Sequence, residues 1–212
     1  MENVLEHLAS ALGRRDEQPN ITFAERIVTQ NDTKAIQTLV TNLQQKNKDI
    51  RSDCIKVLYE AGARQPKLIA PYHQEFLALM NHKDNRLQWG AMIALDYLTP
   101  LKPKELFQAL PAILDAARQG SVITRDHVVN ILIQLAAQPD YREGLTPLIF
   151  EQLLLAPANQ FPMYLEKSAP LVDAKTAADF IRLINSRLND LEKDSQKKRV
   201  DKVIKYINKR IQ

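Results

Sequence analysis

The feature that most constrains this chain is a stripe of apolar residues that recurs every 37 positions. Its internal spacing is i, i+4, i+7, i+8, i+11, which places the side chains along one face of an α-helix. Recurrence at a fixed period predicts repeated helical units. Three copies are clear and a fourth is weaker: Ile50, Cys54, Val57, Leu58, Ala61; Leu87, Ala91, Ala94, Leu95, Leu98; Thr124, Val128, Ile131, Leu132, Leu135; and Phe161, Leu165, Ser168, Ala169, Val172.

The start of each clear stripe carries a helix-capping residue. Asn47, Asp84 and Ser121 stand three residues before the stripes and are themselves 37 apart. Side chains of these types accept hydrogen bonds from the first-turn N–H groups of a helix. A partner stripe precedes each cap with the same period, so each unit is predicted to be helix, short turn, helix. The partner stripes are Ile36, Leu39, Val40, Leu43; His73, Phe76, Leu77, Met80; and Leu110, Ile113, Leu114, Ala117.

Helix pairs of this kind bury their apolar faces by stacking on one another. The sequence therefore predicts an all-α, right-handed α-solenoid of about five helix pairs, forming one domain over residues 1–212. Residues 1–30 are expected to be N-terminal helices or a cap, 31–172 four repeats, and 173–212 a C-terminal capping pair. The predicted helices are 2–12, 21–30, 32–46, 48–63, 66–80, 85–98, 103–118, 122–137, 141–155, 159–171, 174–191 and 195–211.

Four prolines support these boundaries, because each is expected between units or in the first turn of the following helix. There a missing N–H costs little. They are Pro66, Pro103, Pro139 and Pro147.

The turn and second helix of each unit resemble the HEAT-repeat family, which belongs to the wider armadillo-like class. The family frame Asp-x-x-Val-Arg-x-x-Ala-x-x-Ala-Leu is matched from Asn47, from Asp84 and from Ser121, over roughly residues 31–172. The resemblance implies a polar ladder between successive turns. Arg51 and Arg125 suit that ladder, whereas Gln88 interrupts it. The resemblance also implies a binding scaffold, and a scaffold of this kind can serve many functions.

Charge is unevenly distributed along the chain. From Ser195 to Gln212 there are seven basic residues and one acidic residue, a net +6, so the +4 of the whole chain leaves −2 for the remainder. The last helix is predicted to be amphipathic. A terminal repeat needs a polar outer face, which favours a solvated cap. The alternative is contact with nucleic acid or an acidic membrane surface. The apolar face is Val200, Val203, Ile204, Ile207 and Ile211.

Several features favour a cytoplasmic protein. The first residues lack the form of a secretory signal, and no apolar run is long enough to span a membrane. The single cysteine, Cys54, is expected to be a buried thiol on an apolar stripe.

Patterns typical of catalysis are weak in this sequence. The four histidines, His7, His73, His82 and His127, are scattered and lack metal-ligand spacing. There is no Gly-x-Ser-x-Gly motif, and five scattered glycines form no phosphate loop. We therefore predict neither a cofactor nor a metal, and no enzymatic activity.

The second helices are expected to line a concave surface, and their positions outside the core stripe include a tryptophan. Such an apolar face is typical of a protein-recognition groove if it is open. It is part of the core if curvature or a second copy of the chain covers it. The predicted binding residues are Trp89, Met92, Ile93, Asp96, Asp126, Val129, Asn130 and Ile133.

The main function predicted from these residues is binding of a protein or peptide, and a homodimer is possible. The alternative is nucleic-acid binding, or catalysis as a HEAT-like alkylpurine DNA glycosylase. The resemblance would assign that chemistry to Trp89, Asp96 and Arg125. The net negative body argues against it, because phosphate binding needs a cationic surface.

Overall fold

The structure, a computed structural model, describes residues 3–211, and this part of the chain is 78% helical and contains no strand. None of its helices has the length and apolar character needed to cross a membrane. The α-helices are α1 Gln18–Gln30, α2 Thr33–Thr41, α3 Lys48–Arg64, α4 His73–Leu79, α5 Asn85–Leu98, α6 Pro103–Gln108, α7 Leu110–Gln119, α8 Val122–Ala136, α9 Pro139–Leu155, α10 Phe161–Ser168, α11 Ala177–Arg187 and α12 Asp194–Ile211. Short 3-10 segments are Val4–His7, Asn42–Gln44, Pro66–Leu68, Ala70–Tyr72, Ala169–Leu171 and Leu188–Asp190.

The three capping residues that recur every 37 positions do cap their helices. The side chain of Asn47 accepts hydrogen bonds from two first-turn N–H groups of α3, at 2.9 and 3.3 Å. The Asp84 carboxylate accepts one from α5 at 3.0 Å, and the Ser121 hydroxyl accepts one from α8 at 3.3 Å. These bonds satisfy N–H groups that a helix start leaves without partners. The repeated helix starts predicted from the sequence are therefore confirmed.

The chain divides into two compact units, and the first extends to Val128. In this unit α3 packs against α1, α2 and α5, and α5 also packs against α4. The stripe residues Cys54, Leu58 and Leu87 are fully buried, as predicted. Burial raises the pKa of the Cys54 thiol to about 12. Gly90 permits the close approach of α5 to α3, since a Cβ there would lie 2.6 Å from Cγ1 of Ile55.

The second unit begins at Val129. Here α10 and α11 each pack against both α9 and α12. The rings of Phe150 and Phe180 lie 5.6 Å apart between centroids, and Phe161 is fully buried. The apolar face of α12 is buried at Val200, where the side chain is 0% exposed. The last helix is therefore anchored by its apolar side.

The predicted helix over residues 2–12 is wrong for the described part of that range, and Glu2 lies outside the described residues. Only a 3-10 turn, Val4–His7, forms there. Two backbone N–H groups are used by other elements instead of a helix: Ala9 donates to Asn20 Oδ1 at 2.9 Å and Ser10 to Asp53 Oδ2 at 2.8 Å. The chain then turns at Gly13, whose φ is 66°.

Prolines break the predicted first helices of the repeats into shorter helical segments than the apolar stripes indicate. Pro103 and Pro139 begin α6 and α9, and Pro66 begins a 3-10 turn, as predicted. In contrast, Pro147 lies inside α9, so its predicted position at a boundary is wrong. Its side chain is exposed, so the ring needs no room in the core. The predicted helix 103–118 is split in two, with Pro111 in the first turn of α7.

Candidate binding surface

Trp89, the single tryptophan of the chain, lies half-buried on α5 between an aromatic ring and a cation. Its ring centroid is 5.9 Å from that of Tyr59 on α3, with the planes tilted by 49°. The guanidinium carbon of Arg86 lies 4.5 Å from the Trp89 ring centroid. Tilted aromatic pairs and cation–π contacts at these distances are attractive. The indole therefore has a fixed orientation while part of it remains exposed.

Lys56 connects this aromatic pair to two carboxylates. It is 6% exposed, and its Nζ lies 2.8 Å from Glu17 Oε2 and 2.7 Å from Glu60 Oε1. The same ammonium is 4.9 Å from the ring centroid of Tyr59. Glu17 also pairs with Arg86, the residue that covers Trp89. The charged groups thus form one connected network around the two rings.

The pKa values of the network show that its ion pairs outweigh the cost of burial. Burial alone would lower the pKa of Lys56, but hydrogen bonds to Glu17, Glu60 and Tyr59 raise it above the usual lysine value. Burial would likewise raise the pKa of each carboxyl, yet hydrogen bonds from Lys56 and from Arg86 or Arg64 lower both. The carboxylates and the ammonium therefore remain charged at neutral pH.

The network continues along α3 to a second partly exposed aromatic residue. Arg64 lies 2.6 Å from Glu60 Oε2 and 2.9 Å from Glu25 Oε1. Burial, together with the negative charges of Asp96 and Glu60, raises the pKa of Tyr97, which remains 37% exposed. We call this set the α3–α5 surface: Glu17, Lys56, Tyr59, Glu60, Arg64, Arg86, Trp89 and Tyr97.

Five of the eight predicted binding residues belong to the first unit. Met92 is 0% exposed, Ile93 9% and Asp96 5%, so these three side chains pack in the interior. Trp89 and Asp126 are half-buried. In this unit the predicted face is therefore partly exposed at Trp89 and Asp126 and buried at Met92, Ile93 and Asp96.

Asp96 has a specific partner in the structure. Nδ1 of His127 lies 2.6 Å from Asp96 Oδ2. The carboxylate of this buried residue is thus hydrogen-bonded within the first unit. Arg125, the third residue of the glycosylase alternative, is half-buried on α8.

The other three predicted residues belong to the second unit. Val129 is 2% exposed, whereas Asn130 and Ile133 are half-buried. Lys167 Nζ donates a hydrogen bond of 2.7 Å to Asn130 Oδ1. Asn130 is therefore tied to α10 in its own unit.

Sequence reasoning missed Lys56 and Tyr59, although the repeat contains the signal for both. They stand 37 residues before Ile93 and Asp96, so they occupy the same rows of the preceding second helix. The predicted surface therefore omitted α3, the second helix of the preceding repeat. Glu17 had no comparable signal, because it precedes the repeats and its position depends on how α1 packs against α3.

Comparisons with known proteins give the fold alone. No model of a protein family matches this sequence, and no curated protein matches it. Two crystal structures of engineered proteins from a structural genomics consortium are similar in fold, each at 16% identity. The first has a TM-score of 0.54, with 99% of this chain and 98% of that chain covered. The second has a TM-score of 0.53, with 96% of this chain and 58% of that chain covered.

Proposed function

We propose that this chain is a non-catalytic, HEAT-like helical-repeat scaffold that binds a protein or peptide through the α3–α5 surface. The observation that carries the proposal is Trp89, whose partly exposed ring is fixed between Tyr59 and Arg86. Tryptophan, tyrosine and arginine are the residues most enriched at interface hot spots. A ring that is already held in place loses little conformational freedom when a partner binds.

The helix starts support the repeat part of the proposal. Caps at Asn47, Asp84 and Ser121 recur at the period of the apolar stripes. Arg51 Nη2 lies 3.3 Å from Asp84 Oδ2, which is the Arg–Asp pairing between successive turns that the HEAT resemblance implies. We accordingly extend the proposal to a solenoid arrangement of the helix pairs.

The charge of the α3–α5 surface favours a protein partner over a nucleic acid. Its cations are Lys56, Arg64 and Arg86, and each forms an ion pair with a glutamate. Phosphate binding depends on cations that exchange counterions for phosphates. Cations already paired with carboxylates are poorly suited to that exchange. A peptide can instead bury apolar surface against the exposed parts of Trp89 and Tyr97.

The glycosylase alternative assigns a different role to the same helix. It would need the Asp96 carboxylate to stabilise positive charge on a sugar, but that group is 5% exposed and hydrogen-bonded to His127. The scaffold proposal uses Asp96 as a buried partner of His127.

The test is affinity capture from a lysate of the source organism, with and without nuclease, quantified by mass spectrometry. We compare the wild-type chain, Trp89→Ala and the control Tyr206→Ala, whose ring is 47% exposed on α12. Loss of a hot-spot tryptophan costs about 1–2 kcal/mol or more, so Trp89→Ala should capture at least about fivefold less of the main partner. Tyr206→Ala should capture the wild-type amount.

Three outcomes contradict the proposal. Equal capture by the wild-type chain and Trp89→Ala would show that the α3–α5 surface does not bind the partner. Capture that disappears with nuclease would indicate nucleic acid, and excision of alkylated purines that is lost in Asp96→Asn would indicate the glycosylase. Circular dichroism of Trp89→Ala, measured alongside, separates lost binding from lost folding.

A further inference from the structure

The outer side of α12 carries a straight row of lysines. Lys198, Lys202, Lys205 and Lys209 follow the spacing i, i+4, i+7, i+11 and are all exposed. At 100° per residue this row lies opposite the buried face of α12, whose residues are Val200, Val203 and Ile207. With a rise of 1.5 Å per residue, the row is roughly 16 Å long.

The lysines of the row differ from the arginines of α12 in how they are paired. None of the four lysines forms an ion pair with a carboxylate of the described residues, although Lys202 is near enough to Glu166 to help lower its pKa. The two arginines of α12 are bound internally instead. Arg199 pairs with Glu166 through bonds of 2.7 and 2.6 Å, and Arg210 donates to the carbonyl of Pro170 at 2.5 Å.

We propose that α12 docks this lysine row onto an anionic lipid surface, as a reversible contact separate from the α3–α5 surface. Val200, Val203 and Ile207 on the apolar face of α12 are buried in the fold, and the exposed Ile211 lies at the end of the helix, so the contact is electrostatic and needs no insertion into the bilayer. A flat anionic leaflet can meet all four ammonium groups at once. Lysines close to such a leaflet strengthen binding by about fivefold each.

The arrangement of the row favours a lipid surface over nucleic acid. Proteins that bind single strands interleave their cations with several aromatic rings for base stacking, whereas beside this row stands one exposed ring, Tyr206, whose hydroxyl lies 3.3 Å from Arg210 Nη1. A helix in the major groove has phosphates on both sides, but one flank of the row carries Asp201 and Asn208. Bidentate arginine forks, the groups best suited to phosphate and guanine, are the ones occupied internally.

Uneven charge also favours contact through the α12 segment. The segment from Ser195 to Gln212 carries +6, and the rest of the sequence carries −2. An anionic leaflet therefore attracts the α12 segment more than the rest of the chain, within a few Debye lengths.

The experiment is co-sedimentation of the full chain with phosphatidylcholine vesicles, with and without about 30% phosphatidylserine. The test variant changes the four row lysines to glutamine. The matched control changes four exposed lysines of the first unit, Lys34, Lys67, Lys83 and Lys104, to glutamine, which alters the net charge equally. A third variant changes the row lysines to arginine and keeps the charge.

We expect the wild-type chain, the first-unit control and the arginine variant to bind the anionic vesicles. The row variant should bind at least about 100-fold more weakly, and neutral vesicles should bind none of them. Binding should also fall steeply between about 0.02 and 0.3 M salt. The row residues are exposed, so all variants should keep the wild-type melting temperature.

Three results would overturn the inference. One is no binding of the wild-type chain to anionic vesicles at low salt. Another is an equal loss in the row variant and the first-unit control, which would show dependence on net charge alone. The third is row-dependent binding of a labelled oligonucleotide, measured by fluorescence anisotropy, in place of the vesicles.

Discussion

The α3–α5 surface and the lysine row of α12 carry their positive charge in opposite ways. On the α3–α5 surface the Lys56 ammonium is buried between Glu17 and Glu60, and it lies against the Tyr59 ring. On α12 the row lysines such as Lys205 are exposed and have no carboxylate partner among the described residues. The first kind of cation is a structural component of the fold. The second kind is available to a partner.

This difference assigns separate tasks to the two regions. Around Trp89 each cation is paired with a glutamate, and the network fixes aromatic rings whose recognition depends on shape and apolar contact. On α12 recognition depends on charge alone, so it should be weak and sensitive to salt. The net charge of the chain does not distinguish the regions, because lysines of both kinds count equally toward it.

The largest expected effect is on stability, and it separates the two kinds of lysine. Lys56→Ala should lower the free energy of unfolding by about 2 kcal/mol, because it removes the shared partner of Glu17 and Glu60. This is less than the roughly 3–5 kcal/mol of a fully buried pair, since both carboxylates keep some contact with water. Lys205→Ala should change the free energy of unfolding by less than about 0.5 kcal/mol. Urea unfolding of both variants measures the difference.

Lys56→Met serves as the control for packing, because it keeps most of the aliphatic side chain and removes the charge. It should lose most of the stability that Lys56→Ala loses. Equal stability of Lys56→Met and the wild-type chain would show that the ion pairs contribute nothing and would remove the distinction between the two regions.

A smaller effect concerns pH. The pKa values of Glu17 and Glu60 are lowered from 4.5, so their stabilising contribution is present above about pH 4.5 and is lost as the pH falls through the lowered values. The stability difference between the wild-type chain and Lys56→Ala should therefore shrink from about 2 kcal/mol at pH 6 to under about 1 kcal/mol at pH 3. Lys205→Ala should match the wild-type chain at both pH values.

Urea unfolding at pH 6, 4.5 and 3 provides this comparison. A difference between wild type and Lys56→Ala that does not depend on pH would mean that Lys56 stabilises the fold through its methylene groups. That result would leave the carboxylates without a structural role.

The second helices of the repeat could be predicted well from the sequence, because local interactions determine where they start. The side chains of Asn47 and Asp84 cap α3 and α5 by accepting hydrogen bonds from N–H groups in the first turn of the helix that each precedes. The N-terminal segment could not be predicted in this way. Its backbone is fixed by side chains distant in sequence, since Ser10 donates to Asp53, 43 residues away. A pattern of apolar residues can indicate a helix, but it does not indicate a hydrogen bond between residues that are far apart in the sequence.

The candidate surface was predicted in part. The repeat identified Trp89 but could not separate it from Met92, because both stand outside the core stripe and only packing decides that Met92 is buried. Long-range ion pairs determine the rest of the surface. Arg86 and Glu17 are 69 residues apart in the sequence, and no local pattern relates them.

The most direct test of the central claim uses Trp89 as its own reporter, because it is the single tryptophan in the chain. The measurement is tryptophan emission and its quenching by acrylamide, for the full chain alone and after a tryptophan-free peptide from the captured partner is added. Binding at the α3–α5 surface should shift the emission to shorter wavelength and reduce the quenching. Unchanged emission and quenching at a saturating peptide concentration would place the partner elsewhere and contradict the proposed function.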